Sequence, residues 1–143
     1  MNPNDLLARE TRAWLAKALE DLESARVLAN ARLEGTALYH CQQSAEKSLK
    51  AFLTWHNRPF RKTHNLKELG EPCSQIDPSL EETASEAHAL TDYAWMLRYP
   101  GEPFVVEEGE LQAMMTLASN VLREIQSRLP AESRLEIQDR DRE

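Results

Sequence analysis

Most of the chemically capable side chains in this sequence are collected between residues 40 and 69, which read HCQQSAEKSLKAFLTWHNRPFRKTHNLKEL. His40, Gln43, Lys47 and Lys50 recur at three- and four-residue steps, which places them on one helix face, away from Leu49 and Phe52. Carboxamides on such a ledge can read a base or a ribose, and ammonium groups can meet phosphate. The same residues also read as a solvated face, in which Glu46 and Lys50 form an i,i+4 pair worth ~0.3–0.5 kcal/mol. Both readings stand at this level. Gln42 differs, because it falls in register with Leu38, Ala45 and Leu49 and so faces the core or its margin. A buried amide must find hydrogen-bond partners, so its expected role is to hold a neighbouring helix or loop.

From Lys47 to Lys67 there are six Lys/Arg (Lys47, Lys50, Arg58, Arg61, Lys62, Lys67) and no acid, on a chain whose formal net charge is −7. Local positive charge on an acidic protein points to an anion site, most simply for a phosphate. His64 follows Thr63 at a predicted helix start, where backbone N–H groups and the helix dipole favour an anion, and Arg61 and Lys62 lie beside it. The alternative is that Thr63 and His64 cap and pack the turn. Farther on, Arg98 adds a permanent positive charge at the end of a predicted helix, able to bind phosphate without being deprotonated. Tyr93, Trp95, Tyr99 and Phe104 crowd around it in the sequence, suited to a subunit interface, to base stacking or to simple packing of a turn. His40, His56, His64 and His88 lack metal-ligand spacing, so no metal is expected. No cofactor fingerprint, P-loop or nucleophile triad occurs. Cys41 sits within an apolar helical stretch and reads as an inert core residue.

The elements that carry these residues are helices. Proline and glycine fall in clusters between long uninterrupted stretches, and no segment alternates with period two. Leu15, Leu19, Leu22, Ala25, Ala29 and Leu33 predict a first helix over 5–33, ended by Gly35. Thr36 is the expected cap of a second helix running to about Asn57 and closed by Pro59. Thr63 is expected to cap a short helix over 65–69. Asp77-Pro78 signals the start of a third long helix with the stripe Leu80, Ala84, Ala87, Leu90, Ala94 and Leu97. A fourth runs from about Glu107 to Leu129, with Leu111, Met114/Met115, Ala118, Val121/Leu122, Ile125 and Leu129 inside. The fold class is therefore all-α: an up-and-down four-helix bundle with one short extra helix over residues 5–130. The charged tail 131–143 is expected to fray or to extend the last helix in solvent.

At 143 residues the chain fits one domain, and 41% hydrophobic with 29% charged residues is an ordinary soluble composition. No run reaches the ~18 apolar residues of a membrane span, and the start MNPNDLLARE is not a signal peptide. Two cysteines without paired spacing fit a reduced, cytoplasmic setting. The acidic balance argues against broad non-specific coating of nucleic acid, so any such contact must be local.

The pattern His40-x-Gln42-Gln43-x-Ala45-Glu46-Lys47-x-x-Lys50-Ala51, then Thr63-His64-x-Leu66-x-x-Leu69, then Arg98-Tyr99-Pro100, resembles the prokaryotic HEPN domains associated with minimal nucleotidyltransferases. The resemblance spans roughly residues 10–129. It implies a helical bundle, a homodimer, nucleotide or RNA binding, and a nucleotidyltransferase partner in a toxin–antitoxin-like module. Many HEPN proteins are metal-independent RNases that carry an arginine followed, after four to six residues, by a histidine. Arg98 stands at the arginine, but the histidine positions hold Pro103, Phe104 and Val105. Without an imidazole there, acid–base cleavage loses its usual proton carrier.

The sequence thus predicts a nucleotide- or RNA-binding protein whose site is Gln43, Lys47, Lys50, Arg61, Lys62, His64, Arg98 and Tyr99. The alternatives are a metal-independent endoribonuclease using His40 or His64 with Arg98, and a structural interaction partner without a ligand.

Overall fold

Apolar stripes at helical spacing fold here as helices and meet in one core. The structure is a computed structural model and describes residues 2–96, 100 and 105–136. Helix α1 spans Pro3–Asn30, α2 Glu34–Trp55, α3 Leu66–Ile76, α4 Glu81–Ala87 and α5 Glu110–Ser127. Helix α4 is flanked by 3-10 segments at Pro78–Leu80 and His88–Ala94, which together make the predicted third long helix. The described residues contain no strand. The all-α, up-and-down four-helix bundle is formed by α1, α2, the Pro78–Ala94 unit and α5, with α3 as the extra helix.

Helix α2 is the central element. Its Leu38 is buried, and its Cys41, Ala45, Leu49, Phe52 and Leu53 share one buried cluster with Leu15, Ala18 and Leu22 of α1, Leu66 and Leu69 of α3, Leu80 and Leu90, and Val121 and Ile125 of α5. Each fully buried Leu or Phe contributes about 1.5–3 kcal/mol of transfer free energy. The predicted stripes from Leu80 to Ala94 and from Ala118 to Leu129 are buried as expected, while Leu111, Met114 and Met115 are half-buried.

The helix ends differ from the expected ones. Helix α1 stops at Asn30, and Gly35 lies inside the first turn of α2 rather than ending α1. The turn is made by Arg32 at φ 63, with its N–H on the Ala29 carbonyl and the Leu33 N–H on the Leu28 carbonyl. This paired closure satisfies orphan carbonyls without needing glycine. Asn57 at φ 52 repeats it after α2, with Arg58 N–H on the Leu53 carbonyl. Thr36 is not a cap, since the N-cap position of α2 is Leu33 without a side-chain bond. Helix α3 runs through Gly70 and Pro72 to Ile76, well past Leu69, because Leu66, Leu69 and Cys73 bury one face. Helix α5 begins at Glu110 rather than Glu107, with Gly109 at φ 83 before it.

After Pro130 the chain neither frays at once nor prolongs α5. Ala131–Ser133 form a 3-10 turn, Ser133 is buried, Leu135 packs against the core, and Arg12 of α1 donates to the Glu132 carbonyl. The chain leaving α2 also doubles back. The His64 carbonyl accepts from Gln42, and the Arg58 guanidinium reaches Gln75 near the far end of α3. Residues 57–65 are thus a strap that climbs along α2 before α3 descends beside it.

Candidate functional site

Two buried carboxylates organise the polar residues of α2. Asp21 of α1, 8% exposed, receives His40 Nδ1 at 2.8 Å on one oxygen and Lys47 Nζ at 2.5 Å on the other. Glu46, 3% exposed, receives His64 Nδ1 at 2.7 Å and Gln42 Nε2 at 3.3 Å on Oε1, and Lys50 Nζ at 3.1 Å on Oε2. Gln42 also donates to the His64 carbonyl at 3.1 Å and accepts from Gln43 Nε2 at 2.7 Å. Its predicted role as a buried clamp on a neighbouring loop is thereby met. An ionised carboxylate only accepts, so Nδ1 of each histidine carries a proton and Nε2 is left for another partner.

Lys50 is enclosed further. Its Nζ lies 5.4 Å from the Trp14 ring centroid and 5.7 Å from that of Phe60, within cation–π range. Trp14 and Phe60 meet edge to face at 6.1 Å, which pins the strap to α1. Glu46–Lys50 is the i,i+4 pair of the second reading, but it is buried rather than solvated.

The basic turn is arranged differently. Arg61 pairs with Glu68, yet its side chain is 78% exposed. The hydrogen bond to Glu68 pushes the Arg61 guanidinium pKa up, and the same bond holds the Glu68 carboxyl below its usual value. Such an exposed pair is readily exchanged for another partner. Arg58 reaches Gln75 at 3.0 Å, and Lys62 and Lys67 are exposed. The His64 side chain is 53% exposed beyond its bond to Glu46.

The helix N-terminus is closed to an anion. Asn65, not Thr63, caps α3, with its Oδ1 accepting from the Lys67 and Glu68 N–H groups at 3.0 and 3.3 Å. The Leu66 N–H goes to Thr91 Oγ1 at 3.2 Å and the Leu69 N–H to the Asn65 carbonyl at 3.3 Å. Thr63 Oγ1 accepts from the Asn65 N–H at 3.1 Å, and its hydroxyl donates to the Glu68 carboxylate. With all four leading donors used, phosphate cannot be held here by backbone and dipole as the sequence suggested.

The predicted set therefore divides. Gln43, Lys47 and Lys50 belong to the interior network around Asp21 and Glu46. Arg61, Lys62 and His64 stay together on the exposed strap. Arg98, Tyr99, Pro103 and Phe104 lie outside the described residues. Sequence reasoning missed Asp21, although an acid beside Leu22 and three residues after Ala18, on the inner stripe of α1, was a readable signal. It also missed the Asn65 cap and its companion Thr91.

Cys41 and Cys73 are buried, and burial pushes both thiols up to about 12, as suits inert core residues. Among the described residues no cluster of His, Cys, Asp and Glu could hold a metal, and no helix is long and apolar enough to cross a membrane. A cleft of about 490 Å³ opens between α3 and α4, lined by Lys67, Glu71, Gln75, Glu81 and His88 among others, and takes in none of the predicted site residues.

A family model for the HEPN domain matches residues 11–128, from the third turn of α1 to just past the end of α5. The chain belongs to the HEPN domain family. Within this HEPN domain, the Gln42–Glu46–His64 contacts join the two halves of the motif that led to the expectation. The crystal structure of TT1696 from Thermus thermophilus is similar, with a TM-score of 0.69 at 20% identity over 83% of this chain and 98% of that one. At that identity the likeness concerns the fold. No curated protein matches the chain.

Proposed function

We propose that this HEPN protein binds a nucleotide or an RNA segment through phosphate contacts on the strap, centred on Arg61, Lys62 and His64. The carrying observation is that these three side chains are exposed while the residues behind them are fixed. Glu46 and Gln42 hold His64, and Trp14 holds Phe60, so the strap is pre-organised and a ligand need not order it. Arg98, which the sequence places at the end of the third long helix, is the further phosphate contact in this reading. The protein acts as a homodimer beside a nucleotidyltransferase in a toxin–antitoxin-like module of the cytoplasm. Dimerisation is supported by exposed Val27, Leu33, Trp95 and Val105, which the up-and-down topology brings to one end of the bundle.

The test is equilibrium binding of labelled RNA and of ATP to purified protein in chelator. Salt-sensitive binding that drops in the double variant Arg61→Ala/Lys62→Ala is the expected result. Unchanged binding in that variant would place the ligand elsewhere.

A second reading, a metal-independent endoribonuclease, is favoured by the two imidazole–carboxylate pairs His40–Asp21 and His64–Glu46. A carboxylate that fixes the tautomer of a histidine is what acid–base transfer to a ribose hydroxyl or phosphate uses. Cleavage of RNA in chelator, abolished by His40→Ala or His64→Ala, supports it. Intact RNA after prolonged incubation with binding-competent protein rules it out.

A further inference from the structure

The strap has a periodicity of its own. Along the strap and into the first turn of α3, Phe60, Thr63 and Leu66 turn towards the bundle, half-buried or buried, whereas Arg58, Arg61, His64 and Lys67, also three residues apart, are exposed. Lys62 is exposed between them. A segment with a three-residue inward repeat has one face against the protein and a continuous face outward. The strap runs back along α2 from the level of Trp55 to that of Gln42, a rise of roughly 20 Å at 1.5 Å per residue. Positive charge is therefore laid out as a line rather than gathered at a point.

A line of cations and a cluster of cations suit different ligands. A mononucleotide concentrates its phosphates at one place and needs convergent donors. The α3 N-terminus offers none, because Asn65 and Thr91 occupy its N–H groups. A polynucleotide strand carries its charges in a row and needs contacts distributed along it. Arg61 and Arg58 are themselves exposed and meet half-buried Glu68 and exposed Gln75, and each can move to a phosphate while the strap stays anchored by Phe60 and His64.

We infer that the strap, together with the first turn of α3, is a track for the backbone of a single-stranded nucleic acid, with Arg58, Arg61 and Lys62 of the strap and Lys67 of α3 each meeting a different phosphate. This rests on the reading that the strap takes a nucleotide or RNA, and it decides between those two in favour of a strand several nucleotides long. Contacts to the phosphates alone make the track tolerant of base sequence. A duplex is the less suitable ligand, because a narrow row of contacts on one side of a rod engages fewer phosphates than a strand that can bend to follow it.

The experiment is fluorescence anisotropy with labelled oligouridylates of two, four, eight and twelve nucleotides, an eight-base-pair duplex, and labelled ATP. Affinity should climb with length to a plateau, with a log–log salt slope near −3, four contacts at ~0.7 each. Arg58→Ala and Lys67→Ala, at the two ends of the row, should each weaken the longer strands while lowering the slope by about 0.7. Both sites are exposed, and an unchanged circular dichroism melt would show the variants folded. ATP binding as tightly as the octamer, with Arg58→Ala and Lys67→Ala neutral, would overturn the track and leave the nucleotide reading intact. A duplex bound more tightly than the single strand of the same length would also overturn it. No binding of any probe would remove the reading on which the track rests.

Discussion

Glu46 and His64 lie 18 residues apart in the chain, and their side chains meet at 2.7 Å between Oε1 and Nδ1. The carboxylate end of that contact is buried, and the imidazole end is half in solvent. One bond therefore ties the central helix to the exposed basic strap.

Replacing Glu46 should be the most damaging single polar change. Glu46→Ala leaves Lys50 enclosed between Trp14 and Phe60 without its counter-charge, and strands one N–H of Gln42. An uncompensated buried charge costs about 3–5 kcal/mol. Urea unfolding should show a loss of that order, whereas His64→Ala, which leaves Lys50 paired, should lose clearly less.

Asp21 is the second hub, and its removal affects two residues together. Asp21→Asn keeps the shape but removes the charge shared by His40 and Lys47, and a loss of about 1–3 kcal/mol is expected. A double-mutant cycle with Lys47→Met should return a positive coupling energy. Strict additivity would show that the contact carries no stability.

Stability should fall on acidification in two separate windows. Burial lowers the pKa of His56, opposed in part by Asp77, so the unfolded chain takes up a proton before the folded one does. The contribution of His56 is full above its ordinary value of 6.5 and is lost as pH falls through that value towards the lower folded one. Asp77 is depressed by hydrogen bonds from the side chain and backbone of Ser79, so its contribution is present above 3.8 and lost as pH falls through the folded value below it. Urea midpoints measured from pH 7.5 to 5 should decline, and His56→Gln should flatten that decline.

Gly70 and Gly109 should respond to alanine for different reasons. A Cβ on Gly70 would stand 2.9 Å from the Cβ of Ala84, so Gly70→Ala forces α3 and α4 apart at about 1–3 kcal/mol. Gly109 has open space around it but sits at φ +83, where an L side chain costs about 1–2 kcal/mol. Thermal melts of both variants would check the two losses, and a changed denaturant slope in the Gly70 variant alone would reveal whether the cleft beside it widens.

The helical architecture was legible because its signal is periodic and repeated. Leu15, Leu22, Leu49 and Val121 each belong to a stripe that few other folds would satisfy. Gln42 was legible for the related reason that an amide on an apolar face must be answered by a partner. Helix ends were harder, since Arg32 and Asn57 adopt left-handed geometry that glycine would have announced. Helix α3 outruns the short 65–69 helix expected, because burial of Leu66, Leu69 and Cys73 outweighs the one backbone bond that Pro72 lacks. The ledge on α2 could not be separated into interior and exterior from spacing alone. That separation depends on Asp21, a residue on another helix, and on a strap whose path no local pattern encodes.

The order in which these parts assemble follows from the doubling back of the strap. Helices α1 and α2 are joined by a short turn and share the most extensive interface among the described elements, including the bond from Ser44 Oγ to the Ala18 carbonyl. Such a local hairpin can condense early, whereas the strap has nothing to latch onto until Glu46 and Trp14 are already in place. Substitutions at Ala18 or Ser44 should therefore slow refolding, and those at Phe60 or His64 should chiefly speed unfolding. The segment proposed to meet the ligand is then the last to close and the first to open, and occupancy by such a ligand would lengthen the lifetime of the native state by slowing that first opening.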